Sequence, residues 1–225
     1  MHVVLFDIDG TLVKSGGAGK AAMEAALASA FAVPADTAGV PFTGRTDRAI
    51  GRDLFQHHGI EPSAANWDRF LGDYLGHLPG CLTRHTGCVL PGIAGLVALL
   101  AARPDVLLGL LTGNIRAGAR LKLAHFELFH FFRCGGFGDQ HFDRDDVARD
   151  ALADVRRHHP AVDPARVWVI GDTPLDVQCA RAIGARAAAV ATGWHSAAEL
   201  AAAGADLALQ DLADPSPLLA MISDQ

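Results

Sequence analysis

No block of lysine or arginine stands out along the 225 residues, and acidic side chains outnumber basic ones, 25 to 19, for a net charge of −6. A chain that grips nucleic-acid phosphates gathers positive charge on one face, so nucleic acid is not expected among the partners. The longest apolar stretch, 93–111, is broken by Arg103-Pro104-Asp105. A membrane span needs about 18 apolar residues in a row, so no membrane partner is expected either. The first residues do not read as a signal peptide, because no basic region precedes the apolar stretch and Asp7 interrupts it. The four cysteines, Cys81, Cys88, Cys134 and Cys179, show no CxxC spacing. They are expected as reduced thiols of a cytoplasmic protein. The pairs His57-His58 and His158-His159 fall into no metal-binding spacing such as HExxH and are expected on the surface. Oligomeric state has no signature in the sequence.

What remains is a chain rich enough in apolar residues, 50%, to bury a full core as one large domain or one domain with an insertion. Short, near-continuously hydrophobic runs at 2–9, 106–113, 166–172, 185–192 and 205–210 read as parallel strands covered on both faces. Helical patterns at 91–102, 144–157, 174–183 and 196–203 alternate with them. This βαβ rhythm predicts an α/β fold, a doubly wound parallel sheet with a Rossmann-like core. Between Gly16 and Gly87 the rhythm stops: 18–32, 46–58 and 65–78 read as helices and no strand is evident. Roughly 70 residues exceed a crossover connection. The segment 16–87 is therefore expected to be a helical cap domain inserted after the first strand, with 1–15 and 88–225 forming the catalytic core.

In open α/β sheets ligands gather beyond the carboxyl ends of the strands. There the first strand ends in Asp7-Ile8-Asp9-Gly10-Thr11, the second in Thr112-Gly113-Asn114, and a later one in Gly171-Asp172-Thr173-Pro174-Leu175-Asp176. Asp7, Asp9 and Asp172 brought together would repel unless a cation sat among them. Oxygen ligands without histidine or cysteine suit Mg²⁺, which commonly shares its shell with a phosphate. Thr112 offers a hydroxyl to that phosphate, and the amides of Gly113 and Asn114 open the next helix. Asp7 is then placed to attack phosphorus and carry an aspartyl-phosphate. Asp9, swung by the Gly10 turn, is placed to protonate the leaving oxygen and later to activate water.

DIDGTL at 7–12, LLTGN at 110–114 and GDTPLD at 171–176 resemble, in order, the motifs of the haloacid dehalogenase superfamily, most similar to its phosphoglycolate phosphatase-like branch. The resemblance covers nearly the whole chain, cap included. It implies a phosphoric monoester hydrolase with Asp7 as nucleophile and Asp9 as acid and base. It also implies Mg²⁺ held by Asp7, the Asp9 main-chain carbonyl, Asp172 and, directly or from behind, Asp176, with Gly10, Thr112, Gly113 and Asn114 around the phosphate. An acid at position 9 favours phosphoryl transfer over C–halogen cleavage, which needs no protonated oxygen. The family's bridging Lys or Arg has no Lys-Pro match here; Arg144 is the favoured candidate and Lys122 the rival.

FTGRTD at 42–47 is similar to the cap segment that leans over the site in such phosphatases, where Arg45 would read a substrate carboxylate or second phosphate; a polar turn capped by Thr46 or Asp47 is the alternative. GGAGKA at 16–21 fails the phosphate-loop pattern at Lys14 and Ala21 and is expected to be a hinge before a helix. Trp194-His195 is expected to begin the helix after the Thr192-Gly193 turn. The expected activity is Mg²⁺-dependent hydrolysis of a small-molecule phosphate ester. A sugar-phosphate mutase and a non-catalytic protein with a relic site are the alternatives.

Overall fold

The structure is a computed structural model that describes residues 1–223. Six parallel strands form one sheet in the order β5-β4-β1-β6-β7-β8: β1 His2–Phe6, β4 Val106–Leu111, β5 Cys134–Gly136, β6 Val167–Gly171, β7 Arg186–Val190 and β8 Leu207–Leu209. Helices cover both faces, which is the doubly wound arrangement the apolar runs predict. Alternation decides the sides. Val4, Phe6, Leu108, Leu110, Trp168 and Ile170 pack one face against α4 Ile93–Ala101, α5 Arg116–His125 and α9 Ser216–Ser223. Val3, Leu5, Leu111, Val167 and Val169 pack the other against α6 Arg144–His158, α7 Pro174–Ala182 and α8 Ala197–Ala202.

Between the short strands β2 Val13–Lys14 and β3 Cys88–Val89, which pair antiparallel, lie α1 Ala18–Phe31, α2 Asp47–His57 and α3 Ala64–Arg84. These helices enclose an apolar cluster of their own, including Met23, Leu27, Leu54, Phe55, Phe70 and Leu78, which reaches the rest of the protein at Ile115. The ribbon β2–β3 is the two-stranded stalk on which they stand.

Several boundaries differ from the sequence reading. The strands stop before the polar clusters: β1 ends at Phe6 and β4 at Leu111, so Asp7 and Thr112 are loop residues. Cys134–Gly136 is a strand that the sequence hides, because Cys-Gly-Gly carries almost no side chain with which to advertise one. The helix read as 65–78 runs on to Arg84 through Pro79. Proline removes one backbone donor, but Leu78, Cys81 and Leu82 on either side of it are buried, and their packing carries the helix on. Trp194-His195 does not start a helix; Ser196 caps α8. Among the described residues no helix is long and apolar enough to cross a membrane.

Candidate active site

Register places the site. Val3–Phe6 pair with Leu107–Leu110 on one side and Val167–Ile170 on the other, so the residues just past β1, β4 and β6 leave the sheet at the same edge. Immediately after β1 the chain folds into a tight loop, in which Leu12 and Val13 both donate their N–H to the carbonyl of Ile8. Gly10 makes this possible with a φ of 88°, a value that L side chains rarely adopt. A second reason for glycine is space. A Cβ on Gly10 would lie 2.4 Å from Asp172 Oδ2, and one on Gly193, past β7, 1.7 Å from the same oxygen. The Thr192 hydroxyl donates to the Gly10 carbonyl at 2.5 Å and so ties the two glycine loops together. The sequence shows residues 192–193 as a turn and not as part of the site; small residues past a strand end are the signal that could have found them.

Asp7, Asp172 and Asp176 meet there, each offering a carboxylate oxygen within 4.8 Å of the others, and all three are buried. Burial pushes the Asp7 carboxyl up to about 7; Arg144 pulls it back and Asp176 adds to the rise. Burial, reinforced by Asp176 and Asp7, pushes Asp172 up to about 8. Asp176 is already engaged: one oxygen accepts from the Thr173 N–H at 3.0 Å and hydroxyl at 2.8 Å, and the other from the Arg144 guanidinium. Arg144, at the start of α6, also stands 3.8 Å from Asp7 Oδ1. Thr11 donates to Asp172 Oδ1 at 3.3 Å. Clustered buried carboxylates with no nitrogen or sulfur donor fit a hard divalent cation, whose charge would offset their repulsion. Asp7 and Asp172 are the two with oxygens to spare.

The Asp9 carboxylate is not in this cluster. It turns to the other side of the loop, where Lys122 Nζ meets Oδ2 at 2.5 Å, Asn114 Nδ2 donates to it at 3.0 Å and Ser15 donates to Oδ1 at 3.1 Å. Burial alone would raise Asp9, but the Lys122 ammonium and these hydrogen bonds outweigh it and hold the carboxyl below its ordinary range. The expectation that the side chains of Asp7, Asp9 and Asp172 converge is thus corrected: Asp176 stands where Asp9 was placed, because Lys122 draws Asp9 away. Lys122 itself is buried on α5, not solvated, and also donates to Asn114 Oδ1 at 2.6 Å. Asn114 closes the network on Thr112 Oγ1 at 3.0 Å.

Asp7, Asp9, Asn114, Lys122, Arg144 and Asp172 line one cleft of about 580 Å³ between the sheet and α1–α3, with Asp176 and Thr112 behind its wall. Gly113, Lys14, Lys20, Arg45, Asp47 and Tyr74 are also in its wall, with Trp194, 86% exposed, at the rim. Arg45 lines the cleft while paired to Asp53 at 2.5 Å. Thr46 caps α2 by accepting from the Ala49 N–H at 3.0 Å. The segment 42–47 is therefore a capped turn that also lines the cleft. Asp47, which the sequence reading left as a possible cap, is buried and turned toward the loop after β4, where burial pushes its carboxyl up to about 6.

Residues 4–181 match the family of haloacid dehalogenase-like hydrolases. A phosphoglycolate phosphatase of Synechococcus elongatus is 29% identical over 229 residues, spanning 99% of this chain and 98% of that protein. One from Cereibacter sphaeroides is 28% identical over 201 residues, 88% of each. Among solved structures, CbbY from Rhodobacter sphaeroides in complex with phosphate superposes with a TM-score of 0.71 at 20% identity, covering 95% of this chain and 96% of that one.

Proposed function

The chain belongs to the haloacid dehalogenase-like hydrolase family, and from that premise we propose that it is a Mg²⁺-dependent phosphatase acting on a small phosphorylated metabolite, phosphoglycolate-like or a sugar phosphate. The class, a phosphoric monoester hydrolase, accords with the phosphoglycolate phosphatases it resembles over 99% and 88% of its length. The single observation that carries the reading is the buried meeting of Asp7, Asp172 and Asp176 at the sheet edge.

Asp7 and Asp172 would hold Mg²⁺, with Asp176 behind them. When bound, the ion supplies positive charge against the phosphoryl oxygens and the two carboxylates. The chain's own residues do the rest. Thr112, Gly113 and Asn114 receive the phosphate. An Asp7 carboxylate oxygen forms a bond to phosphorus as the ester P–O bond breaks, and the departing oxygen takes its proton from Asp9. In the second half a water attacks phosphorus and gives its proton to Asp9, and the Asp7–phosphorus bond breaks to free inorganic phosphate. Lys122 favours the ionised form of Asp9, which is the form the second half uses, and the proton that Asp9 takes from water there is the one it gives to the departing oxygen of the next turnover. Arg144, locked on Asp176, keeps a fixed positive charge beside the nucleophile. The helices α1–α3 act as the cap that shuts water out during the first half. Arg45 in the cleft wall supports a leaving group that carries a second anionic group.

The test is phosphate release from phosphoglycolate, sugar phosphates and an aryl phosphate, with Mg²⁺ and with EDTA. Release in Mg²⁺ alone supports the reading. Isomerised sugar phosphate as the product would make the protein a mutase, and no turnover across the panel would overturn the assignment.

A further inference from the structure

Helix α5 begins without a cap of its own. Its N-cap residue is Ile115, whose side chain has no acceptor, and the first N–H groups of a helix need one. Two carboxylates from elsewhere supply the acceptors: Asp139 Oδ2 takes the Arg116 N–H at 2.8 Å, and the other serves Ile115. Asp47, the first residue of α2, takes the Ile115 N–H on its Oδ2 at 2.9 Å. Its own N–H donates to the Gly113 carbonyl at 2.7 Å. The two bonds straddle Asn114, and the Asp47 side chain is buried.

The packing around them leaves no slack. A Cβ on Gly113 would lie 2.0 Å from the Arg45 carbonyl oxygen, and one on Gly138 would lie 2.1 Å from the Gly113 carbonyl oxygen. On that far side the Gly138 N–H donates to the Asn114 carbonyl at 2.8 Å. Residues 113–114 are therefore gripped between a strap, 45–47, from the inserted helices and a loop of the core.

We propose that Asp47 is a positioning residue that sets the backbone of 113–115 for the phosphate, so that the inserted helices help to build the phosphate site and do not only cover it. This rests on the phosphatase reading above. Its consequence is specific. A residue that contacts the leaving group affects some substrates more than others, whereas one that shapes the phosphate loop affects all of them alike. It also affects inorganic phosphate, which has no leaving group.

The experiment measures inorganic phosphate binding by calorimetry in Mg²⁺, and kcat/KM on phosphoglycolate and an aryl phosphate, for Asp47→Ala and Asp47→Asn. Asp47→Ala removes one buried acceptor and is expected to weaken phosphate binding, and to lower kcat/KM on both esters, by about 10-fold. Asp47→Asn keeps an oxygen that accepts the same N–H and is expected to recover most of the loss. A loss on one ester only, or unchanged phosphate affinity with a lowered melting temperature, would overturn the proposal. If the wild-type protein hydrolyses neither ester, it is the phosphatase reading that falls, and the phosphate-binding arm still decides the role of Asp47.

Discussion

Lys122 Nζ lies 2.5 Å from Asp9 Oδ2 and both line the same cleft, although 113 positions separate them in the chain. A cation so close stabilises the ionised carboxylate. Replacing Lys122 by methionine removes that support and leaves burial, which raises the Asp9 carboxyl. The pH–rate limb set by Asp9 is then expected to move to higher pH, with kcat falling about 10-fold or more at neutral pH. A pH profile of kcat on an aryl phosphate checks it; an unmoved acidic limb would separate the two residues functionally.

Arg144 and Asp176 form a buried pair, 5% and 2% exposed at their side chains. Removing one partner of such a pair strands the other charge, at about 3–5 kcal/mol. Arg144→Ala is expected to lower stability by that order, measured as a shift of the urea midpoint. Arg144→Lys restores the charge but not the planar fork, so its midpoint should fall between the two. Equal stability of all three proteins would contradict the pairing.

Asp7 and Asp172 carry carboxyls raised to about 7 and about 8 from the usual 3.8. Between 3.8 and those values the folded protein holds more protons than the unfolded chain, so the contribution of these groups to stability is greatest at low pH and is lost as pH rises through this window. In EDTA the melting temperature, apart from other titrations, should therefore gain from Asp172→Asn at pH 8 and hardly at pH 4. A divalent cation competes with those protons. Mg²⁺ is expected to raise the melting temperature of the wild-type protein strongly at pH 8 and little at pH 5, as thermal melts across pH would show.

Two glycines give opposite outcomes. Gly193→Ala places a methyl 1.7 Å from Asp172 Oδ2, so the carboxylate must move; activity is expected to drop at least about 10-fold through weaker metal binding. Gly72 lies inside α3, and a methyl added there would meet no atom within 4 Å, so Gly72→Ala should stabilise by about 0.5–1 kcal/mol. Melting curves and Mg²⁺ titrations of both variants test the pair.

The sheet was legible because β1, β4, β6 and β7 are almost wholly apolar and sit between two helical layers. The strand Cys134–Gly136 was not, since its residues become a strand only by pairing with Gly109–Leu111. Of the site, the acidic strand ends could be read as positions, but not as directions. Which way Asp9 turns depends on Lys122, and which loop Asp47 grips depends on a helix 68 positions away. Contacts of that range are fixed by tertiary packing and leave no local pattern. Arg144 and Lys122 could be named as candidates from their place in the chain, yet the structure gives each a carboxylate of its own, Asp176 and Asp9.

The most direct test of the account is the hydrolysis of an aryl phosphate in Mg²⁺ by Asp7→Asn, compared with the wild-type enzyme. Loss of the attacking oxygen is expected to cut turnover by about 1,000-fold or more, with the melting temperature in EDTA unchanged or raised. Turnover near the wild-type rate in that variant would contradict phosphoryl transfer to Asp7.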